Sequence, residues 1–371
     1  HEEWLSQYLG ANSRVLRYPS SLAERVLRLA RRSPRVRESL VRLGKRFVPS
    51  QAGRFRIAES RGVIEAAGVH VVHFTTQGAG RTGIPSIYHP HDLQHRHLPE
   101  FFTRREYDAR EKAFREYCSQ ASAVAVVSRW TRDDVIEAYG IEPEKVHVIP
   151  FAPGLEKDEP GLPDPEAVRR RLALPKDFVL YPAQTWPHKN HLALVEAIPK
   201  LRSPVGASCS LVFTGRVTTH AEVIRARSRE LGVESRIHML GFVSQPDLKA
   251  LYRLGRAVVI PSLFEAGSCP IWEAFRAGTP VATARTTSLP DQLGDAGLVF
   301  DPRDPDDIAR SVDRLLTDGQ LREQFIRAGR ERVQHLTWER TSRCFRALYR
   351  SVAGRRLSAD DQQLLVSAAT F

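Results

Sequence analysis

Short apolar runs rich in Val and Ile alternate with segments of helical spacing along this chain. That alternation limits the fold more than any other feature. Val69 to Phe74 and Pro85 to His89 read as strands, Thr103 to Ser119 as a helix, and Ala123 to Ser128 as a strand. Arg129 to Tyr139 reads as a helix and Lys145 to Ile149 as a strand. This rhythm implies a parallel sheet with helices on both faces, because parallel strands need crossovers and each helix buries one stripe on the sheet.

Between Phe151 and Asp177 the pattern breaks at Pro153, Gly154, Pro160, Gly161, Pro163, Pro165 and Pro175, which predicts a linker with one short helix near Glu166 to Leu172. The rhythm then resumes, with strands at Phe178 to Tyr181, Ser210 to Phe213, Arg236 to Leu240, Ala257 to Ile260, Pro280 to Ala284 and Leu298 to Phe300. Helices are expected over Asn190 to Leu201, Ala221 to Leu231, Pro246 to Leu254, Pro270 to Ala277, Pro305 to Leu316, Leu321 to Val333 and Thr337 to Val352. The fold class is α/β, with two Rossmann-like parallel-sheet domains facing across a cleft. The divisions are 1–155 for the first domain, 156–345 for the second and 346–371 for a C-terminal helix and tail. The chain opens on His1, not Met. The first strand and Gly-rich loop of the first domain are therefore expected to precede it, leaving that domain incomplete.

The formal charge is +12, and much of the excess lies between Arg14 and Arg56. Leu22, Val26, Leu27, Leu29, Val36, Leu40, Val41 and Leu43 interleave with those arginines. This spacing suits basic amphipathic helices, which either cover a core or rest on an anionic membrane surface. No run of about 18 apolar residues is present, so no transmembrane helix is expected. A cytoplasmic protein, peripheral at the membrane face, fits this pattern. Cys118, Cys209, Cys269 and Cys344 form no CxxC pair, which leaves metal and disulfide readings unsupported. Nucleic acid is not an expected partner. The basic segment offers Trp4, Tyr8, Tyr18, Phe47 and Phe55 without a known recognition pattern.

The segment from Phe264 to Val281 carries the chemistry. It follows an apolar run, passes the small residues Ala266, Gly267 and Ser268, and enters a helix at Pro270. A helix start after a small-residue turn presents free N–H groups, which bind phosphate. Glu265 and Glu273 flank that turn, and a carboxylate accepts paired hydroxyl hydrogen bonds from a sugar. One carboxylate can hold a ribose and the other the transferred sugar. Taken alone, Glu273 is better explained as a residue favoured near a helix N-terminus.

The segment resembles the Glu-x7-Glu region of the retaining, GT-B type glycosyltransferases of family 4 (group 1). Ala266 and Ser268 stand where glycines are usual. Lys189, in Pro187-His188-Lys189-Asn190, is similar to the family's diphosphate-binding lysine. The usual arginine partner is absent, and His188 or Arg216 is the candidate for its charge. Leu240-Gly241-Phe242-Val243 resembles the loop that touches the base, and Val127-Ser128 opens a loop of the Val-Ser-x-x-Ser/Thr type. His91 and Asp92, in His89-Pro90-His91-Asp92-Leu93, match the family's His-Asp-Leu.

The resemblance implies catalytic roles for Glu265, His91 and Asp92. It implies donor binding by Lys189, His188, Arg216, Ala266, Gly267, Ser268 and Glu273. No metal or other cofactor is expected. The implied donor is a nucleoside diphosphate sugar, and the implied acceptor is a glycan or lipid-linked glycan. The closest flavour is that of bacterial polysaccharide mannosyltransferases. Two rivals are a catalytically impaired protein that still binds sugar nucleotides and a basic nucleic-acid-binding protein.

Overall fold

A computed structural model describes residues 58–60, 62–154 and 163–368. The basic amphipathic stretch between Arg14 and Arg56 lies outside the described residues.

The first sheet is parallel, in the order β2-β4-β5-β6. Its strands are β2 (Val72–Phe74), β4 (Ser86–Tyr88), β5 (Ala123–Val126) and β6 (Val146–Val148). A separate parallel pair joins β1 (Ala58–Glu59) to β3 (Gly80–Arg81). The second sheet is also parallel, in the order β12-β11-β10-β7-β8-β9. Its strands are β7 (Phe178–Pro182), β8 (Ser210–Thr214), β9 (Ile237–Gly241), β10 (Ala257–Ile260), β11 (Val281–Ala284) and β12 (Gly297–Phe300). The α/β reading therefore holds in both halves. Strands buried on two faces must be apolar throughout, and Phe178, Val179, Leu180 and Tyr181 are all buried.

Local chemistry sets the element ends. The helix Arg104–Gln120 begins with a reciprocal Thr103–Glu106 capping box. The helix Arg129–Tyr139 is capped by the Ser128 hydroxyl and ends on Gly140 in the left-handed region. The strand expected over Val69 to Phe74 is shorter, because β4 begins opposite Val72 and the preceding residues have no ladder partner. The helix expected over Asn190 to Leu201 spans His191–Ala197 and tightens into a 3-10 turn at Ile198–Lys200, where Pro199 supplies no N–H.

The C-terminal part returns to the first domain. The helix Trp338–Val352 runs unbroken through 345/346, and a further helix covers Ala359–Ala368. Cys344, Leu348 and Leu364 pack with Ile87, Ala123, Ala125 and Ile149 of the first sheet. Thr341 donates to the Pro150 carbonyl at 2.9 Å, and the Trp338 indole donates to the Pro153 carbonyl at 3.2 Å. The two chain crossings between the domains are thereby tied to each other.

Strand order fixes where a ligand can sit. The second sheet starts at β7 in its middle and winds outward both ways, so its switch point lies between β7 and β10. Ligands of open α/β sheets bind beyond the carboxyl ends of strands at such a point. Lys189 lies beyond β7, and Glu265 lies beyond β10.

Candidate active site

A cavity of about 250 Å³ opens between the two domains. From the first domain it is lined by His91, Asp92, Gln94, Val127 and Phe151. The second domain contributes His188, Lys189, Gln292 and the run Phe264 to Cys269. Eight of the ten expected site residues thus converge: His91, Asp92, His188, Lys189, Glu265, Ala266, Gly267 and Ser268.

The centre of the cavity is an ion pair. Lys189 Nζ donates to Glu265 Oε1 at 2.6 Å. The buried Ser262 hydroxyl donates to the same oxygen at 2.6 Å. The Glu265 backbone is held as firmly. Its N–H donates to Thr287 Oγ1 at 3.0 Å, and its carbonyl accepts from Thr287 Oγ1 at 2.7 Å and Ser288 Oγ at 2.9 Å. Ser262, Thr287 and Gln292 are contributors that sequence reasoning missed, because a supporting hydroxyl or amide has no spacing signature.

Backbone strain gathers here. His91, Asn190 and Thr287 are three of the four non-glycine residues with positive φ among the described residues, at 67°, 56° and 46°. A β-branched residue such as Thr287 is a true outlier in this region. Strain of this kind persists where the surroundings impose it, and functional sites are where it collects. Asn190 is held by its side-chain amide, which donates to the carbonyls of Pro261 and Pro302 at 3.1 and 2.9 Å.

The first domain presents a histidine stack. His89 and His91 rings lie 4.6 Å apart, and His73 stacks behind His89 at 6.2 Å. Burial pushes His73 down to about 4 and His89 to about 3, so both are neutral near pH 7. His91 Nε2 lies 2.8 Å from the Thr75 carbonyl. A carbonyl only accepts, which assigns the proton to Nε2 and leaves Nδ1 as the acceptor of the neutral ring. Asp92 accepts from Gln77 Nε2 at 3.2 Å and from the Gln94 N–H at 3.0 Å, and burial raises its pKa. His95 and His97, a few residues further along, face away from this stack. His95 is buried beside Glu111, and His97 meets Asp134 at 2.8 Å.

Four of the expected donor residues differ in what they present to the cavity. Arg216 lies exposed on the turn after β8, outside the residues lining the cavity, with its carbonyl tied to the Thr185 N–H. His188 lines the cavity, but burial and the neighbouring Lys189 charge push it down to about 4, so at neutral pH it offers a hydrogen bond and no charge. Lys189 is thus the one cationic side chain lining the cavity among the described residues. The Ser268 N–H is not free for phosphate, because it donates to Gln292 Oε1 at 2.8 Å.

Glu273 lies behind the cavity wall. Its Oε2 accepts from the buried Tyr252 hydroxyl at 2.6 Å, and Gly154 leaves room for its other oxygen. Burial raises its pKa, which makes the folded chain bind a proton more readily than the unfolded one. Stability from this site is therefore full below the ordinary value of 4.5 and falls as pH rises above it. Glu273→Gln is expected to raise the melting temperature at pH 8 by roughly 2–4 °C. That gain should vanish near pH 4.5, which thermal unfolding across this range checks.

The domains touch at the donor-side loop. The Ala266 carbonyl accepts from Ser128 Oγ at 2.6 Å and Thr131 Oγ1 at 3.1 Å. These are the two hydroxyls of the Val-Ser-x-x-Thr run. Phe264 packs against His97 and Trp130 at 5.4 and 5.5 Å. Gly267 faces Val127 so closely that a Cβ would lie 2.9 Å from Val127 Cγ2.

Comparison with known proteins agrees with this geometry. The family described as glycosyl transferases group 1 matches residues 165–332, and that described as glycosyltransferase family 4 matches residues 11–152. An O-antigen chain mannosyltransferase B of Escherichia coli is 29% identical over 267 residues, covering 69% of this chain and 70% of the relative. A D-inositol 3-phosphate glycosyltransferase of Acidothermus cellulolyticus is 30% identical over 271 residues, covering 67% of this chain and 59% of the relative. Among solved structures, the sucrose-phosphate synthase of Thermosynechococcus elongatus superposes with a TM-score of 0.65 at 21% identity, covering 79% of this chain and 77% of that one. An Anabaena protein, HepE, solved with UDP and glucose, superposes at 0.64 and 20% identity, covering 79% and 81%. With both halves matched in order and the GT-B architecture in place, the chain belongs to the group 1, family 4 glycosyltransferases.

Proposed function

We propose that the chain transfers a hexosyl group, with mannosyl the favoured identity, from a nucleoside diphosphate sugar to a hydroxyl of a glycan or lipid-linked glycan. The observation that carries this reading is the Lys189–Glu265 pair at the switch point of the second sheet. The lysine supplies positive charge for a departing diphosphate, and the carboxylate accepts sugar hydroxyls beside it. Mannosyl is favoured by the resemblance to an O-antigen mannosyltransferase, which extends over 69% of this chain.

In this reading Lys189 takes the diphosphate, Glu265 the transferred sugar, and the backbone of Ala266 and Gly267 approaches the phosphates. His91, with Nδ1 as acceptor, and Asp92 meet the sugar or the acceptor hydroxyl from the first domain. The anomeric configuration is retained, with attack on the face the diphosphate leaves. In this reading Glu265, engaged at Oε1 by Lys189 and Ser262, acts as an acceptor of sugar hydroxyls and not as a nucleophile.

A panel of UDP-, GDP- and ADP-hexoses tests the reading. One nucleotide class should raise the melting temperature in proportion to the logarithm of its concentration. No stabilisation by any member would defeat it.

A further inference from the structure

Lys189 is already neutralised in the structure. Its ammonium faces the carboxylate of Glu265, in a cavity with no other cationic side chain among the described residues. An incoming diphosphate must therefore draw the lysine away from a carboxylate. That leaves Glu265, only 11% exposed at its side chain, without its counter-charge. A buried carboxylate in that position needs other hydrogen bonds to stay ionised and in place.

One buried hydroxyl supplies such a bond, and a second braces the first. Ser262 is 0% exposed and donates to Glu265 Oε1 at 2.6 Å. Tyr181 is 1% exposed, and its hydroxyl lies 2.8 Å from Ser262 Oγ and 3.0 Å from the Lys189 carbonyl. Each hydroxyl has one hydrogen. With the serine hydrogen committed to the carboxylate, the Ser262 oxygen is an acceptor for the tyrosine. The single Tyr181 hydrogen is shared between Ser262 Oγ and the Lys189 carbonyl, so the tyrosine ties the serine that serves the carboxylate to the backbone of the lysine. The backbone of Ser262 is fixed as well, since its carbonyl accepts from Thr286 Oγ1 at 2.9 Å.

We propose that Ser262 and Tyr181 are positioning residues that hold Glu265 while its partner Lys189 is exchanged between carboxylate and phosphate. A nucleoside diphosphate sugar replaces what it removes, because its phosphate takes the lysine and its sugar hydroxyls donate to the freed carboxylate. A nucleoside diphosphate takes the lysine and returns nothing to Glu265. The re-formed ion pair thus disfavours the product and helps expel it after transfer. This inference rests on the proposed donor site and adds an order of preference to it.

The test is equilibrium titration of the full chain with UDP, GDP and ADP and with the matching hexose conjugates, keeping the nucleotide that binds. Glu265→Gln frees the lysine and should tighten nucleoside diphosphate binding at least ~5-fold while weakening the sugar conjugate. Ser262→Ala should leave diphosphate affinity within ~2-fold and weaken the conjugate ~10-fold, the scale of one hydrogen bond to a charged group. Ser262→Thr keeps the hydroxyl and should restore the conjugate. Unchanged diphosphate affinity in Glu265→Gln would overturn the exchange. So would Ser262→Ala weakening both ligands equally, which is what mere structural damage does. If the unaltered chain binds no nucleotide, the donor site itself fails, and the exchange fails with it.

Discussion

Lys189→Ala and Glu265→Ala should each lower glycosyl transfer at least ~100-fold, a loss of roughly 3 kcal/mol of transition-state stabilisation. The two variants reach that loss differently. Removing Lys189 takes away the cavity's cationic side chain and leaves Glu265 facing an anionic donor. Donor affinity and turnover should therefore fall together. Removing Glu265 liberates the lysine, so the diphosphate still binds and the loss falls on the sugar, where a carboxylate that accepted hydroxyls is gone. Initial-rate measurements over a range of donor concentration separate the two. The double variant should be far less than the product of the singles, because the side chains act as one unit. Near-normal turnover in both single variants would remove the assignment.

Gly267→Val should lower transfer by ~10–100-fold while moving the melting temperature by under ~2 °C. Even a Cβ at this position would lie 2.9 Å from Val127 Cγ2 across the domain boundary, and valine adds two more carbons. Val127 is β-branched and has few rotamers with which to yield. The relief available is for the donor-side loop to retreat from the first domain. That movement lengthens the hydrogen bonds from Ser128 and Thr131 to the Ala266 carbonyl and carries Glu265 away from His91 and Asp92. Global stability should barely change, because each sheet has its own core and Gly267 belongs to neither. Paired measurements of kcat/KM and melting temperature check this. A variant with parental activity would show that the contact at Val127 is not part of the working form.

The second domain was legible because its signals are local and repeated. Short apolar runs mark β7, β8, β10 and β11. Pro270 and Gly278 mark the ends of the helix Cys269–Ala277, and Glu265 and Lys189 fall in the loops that follow β10 and β7. What a sequence cannot carry is which polar group reaches which partner across the fold. Ser262 and Tyr181 are 81 residues apart, and Ser128 and Ala266 are 138 apart. Arg216 follows β8, where a charge could meet phosphate, yet it is exposed and not among the residues that line the cavity. Glu273 is on the expected helix, about one turn in, where the Tyr252 hydroxyl donates to it. The terminal helix Ala359–Ala368 did carry a signal that went unread. Ser358 and Asp361 cap each other reciprocally, with both bonds at 3.1 Å.

The location of the donor can be measured at a single atom. Cys269 starts the helix behind the small-residue turn and lines the cavity, and it is exposed, whereas Cys118, Cys209 and Cys344 are buried. Alkylation of the folded chain should therefore label Cys269 first. With the stabilising nucleotide sugar present at ten times its Kd, labelling of Cys269 should slow ~10-fold, in proportion to the unoccupied fraction. A nucleotide sugar that stabilises the protein and leaves the labelling rate unchanged would place the donor elsewhere and contradict the account.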